Sequence, residues 1–102
     1  MLMVITTTSK SDDAERLAEE IVAAKLAACV QILPKMTSIY FWEGEVRKDE
    51  EHLLLIKTNE EKYSMLEAYI AENHTYDVPE IVAIEWARVS VKYRQWLENY
   101  LA

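Results

Sequence analysis

The sequence predicts an α+β fold, a ferredoxin-like βαββαβ antiparallel sheet with two helices on one face and an additional C-terminal helix. The main observation is the order of periodicities, because segments of strand composition and of helical spacing alternate along the 102 residues in that order. A second observation is that no linker, internal repeat or low-complexity tract interrupts the series. We therefore predict a single domain over residues 1–102.

The first third of the chain predicts a strand, a helix and a second strand. Residues 2–8 are apolar and then β-branched without polar alternation, which is typical of a strand covered on both faces. Asp12 and Glu15 have the spacing of a capping box. The amphipathic helix that follows has apolar residues every three or four positions, at Ala14, Leu17, Ala18, Ile21, Val22 and Leu26. Residues 29–33 begin the second strand, which Pro34 interrupts with a bend or bulge before it resumes at residues 37–42.

An aromatic strand and a buried strand are predicted in the middle of the chain. Residues 37–42 include Tyr40, Phe41 and Trp42 and favour a strand. The only glycine, Gly44, is expected to form the next corner with a positive φ. The charged residues 47–51 are expected to form a solvated edge or loop, and residues 53–58 to form a buried strand.

The last third predicts a helix, a strand and a closing helix. Thr58 and Glu61 repeat the capping-box spacing before a helix that ends near Asn73. A polar segment, 73–80, precedes a short strand over residues 81–86, and Ser90 is the expected cap of the last helix.

Composition excludes several classes of function. Lys and Arg number 11 against 18 Asp and Glu, and the resulting net charge of −7 argues against a nucleic-acid partner. A single glycine excludes dinucleotide-binding loops, phosphate-binding P-loops and the nucleophile elbow of hydrolases. The single cysteine excludes an internal disulfide, and no segment reads as a leader or membrane span. We expect a soluble, cytoplasmic domain without a membrane partner.

The predicted strands are apolar on both sides, whereas the two helices cover one face of the sheet only. A bare apolar face is a large exposed patch on a monomer. We therefore expect an obligate homo-oligomer.

Candidate chemistry concentrates in the polar segment 73–80, which contains His74, Tyr76, Asp77 and Glu80. A connection held by a capping histidine is the alternative interpretation of this segment. The two histidines and Cys29 show no zinc-ligand spacing, and the apolar surroundings of Cys29 favour a buried thiol over a ligand. No catalytic set can be assigned, so we expect a protein that is not an enzyme.

Four motifs resemble the CutA divalent-cation tolerance family, and they follow in order along nearly the whole chain. They are KLAACV at 25–30, TSIYFWEG at 37–44, IKT at 56–58 and ENHTYDVPEI at 72–81. Tyr93 and Trp96 also fit the family's C-terminal helix.

The resemblance implies a cytoplasmic, ferredoxin-like homotrimer without an established enzymatic activity. It implies a part in tolerance of divalent metals, above all copper, with Cu²⁺ or another divalent ion as ligand. The polar residues shared with the family lie at clefts between subunits; here they are Cys29, Trp42, Glu43, Lys57, His74, Tyr76 and Glu80. By this resemblance His74 is the expected metal ligand among them.

Three positions depart from the family pattern. Thr75 replaces a proline, so the loop loses a ring that fixes φ. Thr6 and Asn73 stand where some members have a cysteine and a histidine proposed to bind copper. We therefore expect a weaker site, built on His74 with carboxylates of a neighbouring subunit.

Two other functions fit the sequence. One is a trimeric small-molecule sensor comparable to the PII signalling proteins, with Lys57, Trp42 and Tyr76 around an anionic or ring-bearing ligand. The other is a trimeric scaffold for a partner protein.

Overall fold

The computed structural model describes residues 1–102 and contains five strands and three α-helices. In chain order the elements are β1 (Leu2–Thr8), α1 (Ser11–Ala23), β2 (Cys29–Ile32), β3 (Met36–Trp42), β4 (Glu45–Thr58), a 3₁₀ turn (Glu60–Lys62), α2 (Tyr63–Asn73), β5 (Val82–Glu85) and α3 (Val91–Leu101). The sheet runs in the order β2-β4-β1-β5, with β3 paired to β4, and every pair is antiparallel. The predicted βαββαβ order and the closing helix are confirmed, with the second strand divided at Pro34 into β2 and β3, which both pair with β4.

Helices α1 and α2 cover one face of this sheet. Their apolar residues and those of β1 and β4 form a core of ten buried side chains: Val4, Ala14, Leu17, Ile21, Leu26, Ala27, Leu54, Ile56, Leu66 and Ile70. Val4 pairs with Ile56 across the strands, and alternate residues of a strand share a face. The even-numbered side chains of β1 and of the inner half of β4 therefore point towards the helices.

The opposite face, which we call the open sheet face, carries the odd-numbered side chains of β1 and of the inner half of β4 and the even-numbered side chains of β5. Ile5 lies between Leu55 and Val82, and Met3 faces Ile84, so these five residues share one surface. Val82 and Ile84 are 49% and 46% exposed. In a single chain this surface remains partly open to solvent, as the apolar strands predict.

Strand β4, with 14 residues, is twice as long as β1, and its outer half forms a separate hairpin with β3. We call β3 and residues 45–51 the hairpin arm; its register runs from Met36 opposite Glu51 to Trp42 opposite Glu45. Of the two alternatives predicted for residues 47–51, the solvated edge is correct and the loop is wrong, because these charged residues belong to a strand that is paired on one side only. They remain in a strand because the arm is paired on one side only, which leaves their side chains access to water.

The turn of the arm has two residues with positive φ, Glu43 at 50° and Gly44 at 83°. Such a pair of φ values belongs to a type I′ turn, whose twist matches that of a hairpin. The expected positive φ of Gly44 is confirmed.

Helix caps differ from the predicted capping boxes. Asp12 lies inside α1, whose N-cap is Lys10 without a side-chain cap bond. Thr58 ends β4 and donates its hydroxyl to the Leu26 carbonyl at 2.7 Å, while Asn59 caps the following turn. Ser90 does cap α3, accepting from the Tyr93 amide at 3.3 Å.

Helix α3 packs apart from the main core. Its buried residues Leu97 and Leu101 form a small cluster with Ala28. No helix combines the length and apolar composition needed to cross a membrane.

Candidate functional site

A cleft of about 590 Å³ lies between the hairpin arm, the end of β1 and the segment that follows α2. Three aromatic rings and three carboxylates line it, namely Tyr40, Trp42, Tyr76, Glu51, Asp77 and Glu80. Clefts of this size accommodate small-molecule ligands. Of the residues predicted for a ligand site, Trp42, Tyr76 and Glu80 meet here.

Strand geometry explains why the arm contributes to the cleft. Ser38, Tyr40 and Trp42 alternate along β3, so their side chains share one face. Arg47 lies directly opposite Tyr40 in the register, and Glu51 lies on the same side of β4. That side continues along β4 to Leu55, so the cleft adjoins the open sheet face.

Glu51 is the most buried charged residue of the cleft, with 9% of its surface exposed. The Tyr76 hydroxyl donates to its Oε2 at 2.8 Å. Burial, reinforced by this bond to a carboxylate, raises the pKa of Tyr76 well above its usual range. No Lys, Arg or His nitrogen lies within 4 Å of the Glu51 carboxylate, and its Oε1 accepts no hydrogen bond from the protein.

A second phenol–carboxylate pair lies further out on the arm. The Tyr40 hydroxyl donates to Asp49, and this hydrogen bond raises the pKa of Tyr40. Arg47 extends towards the tip, where its Nη2 lies 3.9 Å from carboxylate oxygens of both Glu43 and Glu45. Its Nε is buried without a partner.

His74 uses both ring nitrogens within the chain. The backbone N–H of Tyr76 donates to Nδ1 at 3.0 Å, so Nδ1 holds a lone pair. The proton of the neutral ring is then on Nε2, which donates to the Thr7 carbonyl at 2.6 Å. His74 thereby ties the segment after α2 to the end of β1, and it lies beside the cleft without lining it.

Lys57 and Cys29 lie at the other end of the sheet, where they are cross-strand partners. The Lys57 Nζ donates to the Tyr93 hydroxyl at 3.2 Å and lies 5.4 Å from the centre of that ring. Lys57 is six residues from Glu51 along β4, a separation of about 20 Å. Within one chain, Lys57 and Cys29 are therefore remote from the cleft.

The remaining predicted positions are placed as follows. Glu43, at the arm's turn, accepts from the Trp42 Nε1 at 2.9 Å. Asn73 donates its amide to the Tyr69 carbonyl at 2.9 Å. Thr6 is fully buried with an unpartnered hydroxyl, and Thr75 is exposed.

Sequence reasoning missed Tyr40, Arg47 and Glu51 as cleft residues. The signal was present, because a two-residue turn at 43–44 makes the residues after it the partners of β3. A hairpin of seven pairs then places Glu51 opposite Met36.

No three His, Cys, Asp or Glu side chains in the chain are close enough together to hold a metal ion. Two carboxylates or His74 alone would need ligands from elsewhere to complete a coordination sphere.

Comparison with known proteins gives a consistent result. The family model for the CutA1 divalent ion tolerance protein matches residues 2–100. A divalent-cation tolerance protein CutA from Thermus thermophilus is 42% identical over 97 residues, covering 95% of this chain and 94% of the relative. A chloroplastic CutA 1 from rice is 43% identical over 98 residues, or 96% of this chain. This chain spans about half the length of the chloroplastic relatives it matches.

The fold is similar to solved structures over its whole length. The periplasmic divalent cation tolerance protein CutA from Archaeoglobus fulgidus superposes with a TM-score of 0.96 at 29% identity, with 100% of both chains covered.

Proposed function

The chain belongs to the CutA1 divalent ion tolerance family, and from that premise we propose that it acts as a cytoplasmic homotrimer that binds copper and other divalent ions weakly. We propose further that it catalyses no reaction. The observation that carries the proposal is the open sheet face, which adjoins a cleft rich in carboxylates.

The open sheet face supports self-association. Its apolar side chains Met3, Ile5, Leu55, Val82 and Ile84 form one surface by register. Removing such a surface from water stabilises an assembly by about 25 cal/mol for each Å² buried. In a trimer the sheets pack against one another, and Cys29, Lys57, Trp42, Glu43, Tyr76 and Glu80 contribute to clefts between subunits.

Light scattering tests the assembly. The wild-type protein should have about three times the 11.9 kDa chain mass. Ile84→Glu, on the open sheet face, should lower that mass, whereas Met65→Glu, at a comparably exposed site on α2, should leave it unchanged. A single 11.9 kDa species at micromolar concentration would refute the trimer.

Metal binding at His74 is proposed to be weak for a structural reason. A metal ion needs a lone pair of the imidazole, and the available one, on Nδ1, already accepts from the Tyr76 amide. Displacing that hydrogen bond costs about 0.5–1.5 kcal/mol. Carboxylates of a neighbouring subunit then complete the site.

Titration calorimetry with Cu²⁺ and Zn²⁺ tests this site. His74→Ala should abolish the binding heat, and His52→Ala, which removes the other histidine, should not. Binding no tighter than millimolar in the wild type, unchanged in His74→Ala, would exclude a site at His74.

A small-molecule sensor is the second candidate function, and the volume of the cleft favours it. In this proposal Trp42 and Tyr76 contact the ligand, and Lys57 reaches it only from another subunit. A thermal-shift screen of nucleotides, carboxylates and amines should show a stabilising ligand; a flat response discards the sensor.

The cytoplasmic location rests on the family resemblance and on the single free cysteine. Relatives are named for other compartments, one for the chloroplast and one for the periplasm. Fractionation of cells expressing the native protein tests it.

A further inference from the structure

We propose that the cleft binds a small aliphatic ammonium ion, such as a diamine, between the carboxylate of Glu51 and the aromatic rings of the hairpin arm. This inference concerns a different site and a different kind of cation from the metal ligand proposed at His74. It rests on three features of the cleft: a carboxylate without a basic partner on a largely buried residue, an aromatic lining and an excess of negative charge.

The unpaired charge is that of Glu51. The Glu51 residue as a whole exposes 9% of its surface, and its carboxylate has no basic side chain within 4 Å. Buried carboxylates in proteins are normally paired with a cation, because losing water without compensation is costly. One oxygen, Oε2, accepts from Tyr76, which leaves Oε1 available to a donor from a ligand. An ammonium group supplies both the missing charge and the missing hydrogen bond.

The aromatic lining favours an organic cation over a metal ion. Tyr40, Trp42 and Tyr76 line the cleft, and both phenols donate to carboxylates. Hydrogen-bond donation by the phenol increases the electron density of the ring, which attracts a cation to its face. Methylene groups next to an ammonium also pack against such rings. A hydrated divalent ion gains little from them, since it prefers oxygen ligands in a fixed geometry.

The charge of the lining favours a cation of this size. Glu51, Asp77 and Glu80 carry three negative charges against the one positive charge of Arg47. The Arg47 guanidinium is directed towards Glu43 and Glu45 at the arm's tip. The volume of about 590 Å³ holds a short diamine, whose second ammonium group can reach the carboxylates at the cleft edge.

Titration calorimetry with putrescine, a diammonium ion, tests the proposal on the assembled wild-type protein. Butanediol is the uncharged match to putrescine, and Mg²⁺ at equal ionic strength is the metal control. Putrescine should bind, and neither control should. Equal heats for putrescine and butanediol, or binding that Mg²⁺ reproduces, would overturn the proposal.

Two variants locate the site. Glu51→Gln, which keeps an acceptor for Tyr76, should weaken putrescine binding about tenfold or more. Glu50→Gln is the matched control, because Glu50 is exposed and paired with Lys35 at 3.0 Å; it should bind as the wild type does. Unchanged affinity in Glu51→Gln would refute the role of the buried charge.

A variant in the aromatic lining gives an independent measurement. Trp42 is 38% exposed, so Trp42→Leu should fold normally and weaken putrescine binding several-fold. Trp42→Phe should retain most of the affinity but lose the change in tryptophan fluorescence on binding.

The outcomes separate this proposal from the metal site. His74→Ala should lose copper binding and keep putrescine binding, and Glu51→Gln should do the reverse. If Glu51→Gln instead lowers the mass of the assembly and putrescine never binds, a second copy of the chain supplies the counter-charge and the ligand proposal is wrong.

Discussion

Replacing Tyr76 by phenylalanine removes the one side-chain hydroxyl that donates to the buried Glu51 carboxylate. The bond is 2.8 Å long and joins a neutral donor to a charged acceptor that is 9% exposed. Hydrogen bonds to charged groups contribute about 1.5–3 kcal/mol to stability, more than neutral ones. Tyr76 itself is only half-buried, so water can partly replace its hydroxyl. We therefore expect Tyr76→Phe to lower the free energy of unfolding by about 1.5 kcal/mol, the low end of this range.

Urea unfolding at pH 7 and fixed protein concentration measures this change, because stability of an assembly depends on concentration. The chain offers a matched control in Tyr63, which donates to Glu67 at the same distance of 2.8 Å but on the exposed surface of α2. Tyr63→Phe should cost no more than about 0.5 kcal/mol. The difference between the two variants isolates the effect of burial.

A double-mutant cycle completes the measurement. With Glu51→Gln as background, the charge is gone and Tyr76→Phe should cost only about 0.5–1 kcal/mol. The reasoning fails if Tyr76→Phe costs as little as Tyr63→Phe. It also fails if Glu51→Gln leaves the cost of Tyr76→Phe unchanged, because the bond then has no charge-dependent part.

Three further predictions concern the scaffold. Burial raises the pKa of Tyr76 above 10, so folding favours its protonated form. The free energy of unfolding should therefore be unchanged below pH 10 and should fall as the pH rises past it. In urea unfolding, Tyr76→Phe should make that fall less steep. Gly44→Ala should cost about 1 kcal/mol through its φ of 83° alone, since a Cβ there meets no atom within 4 Å; an unchanged urea midpoint would contradict this. Ser90→Ala should cost about 1 kcal/mol in thermal unfolding by removing the cap of α3, and Ser90→Asp should restore it; equal stability of both variants would show that the cap is dispensable.

Much of the fold could be predicted because the spacing of apolar residues differs between its helices and its strands. The apolar residues along one side of α1 and the apolar residues of β1 belong to the same core, because α1 packs on the sheet that contains β1. The open sheet face was likewise foreseeable, since the apolar side chains on both sides of β1 cannot all contact helices that lie on one side. Both features could be predicted because buried positions are occupied by apolar residues, which are visible in the sequence.

The hairpin arm could not be predicted from composition. Its strand residues 45–51 are charged and carry no apolar alternation, so they resemble a solvated loop. They are held in a strand by pairing with β3, a contact set by the turn at 43–44. Because Glu51 belongs to this stretch, its position in the cleft could not be predicted either.

Tertiary contacts also decide how two polar groups are used. The spacing of Thr58 and Glu61 fits a capping box, but the Thr58 hydroxyl bonds the Leu26 carbonyl, far away along the chain. Clustering of polar groups drew attention to His74, and the structure adds what spacing could not show, that its two ring nitrogens bond Thr7 and Tyr76 within the chain. Whether an element uses a polar group locally or across the fold depends on what packs beside it, and sequence spacing does not contain that information.

The separate packing of α3 has a consequence for motion. Its buried side chains, Leu97 and Leu101, contact Ala28 and not the ten-residue core, and its polar attachments are few: Tyr100 to the Val22 carbonyl and Lys57 to Tyr93. Such an element can open while the rest stays folded. Amide hydrogens of α3 should therefore exchange with solvent faster than those of α1, although both are regular helices of similar length. Lys57 donates to the Tyr93 hydroxyl, so each opening of α3 also breaks this hydrogen bond. The motion of the last helix therefore determines when the Lys57 ammonium group is free to bind another group at that end of the molecule.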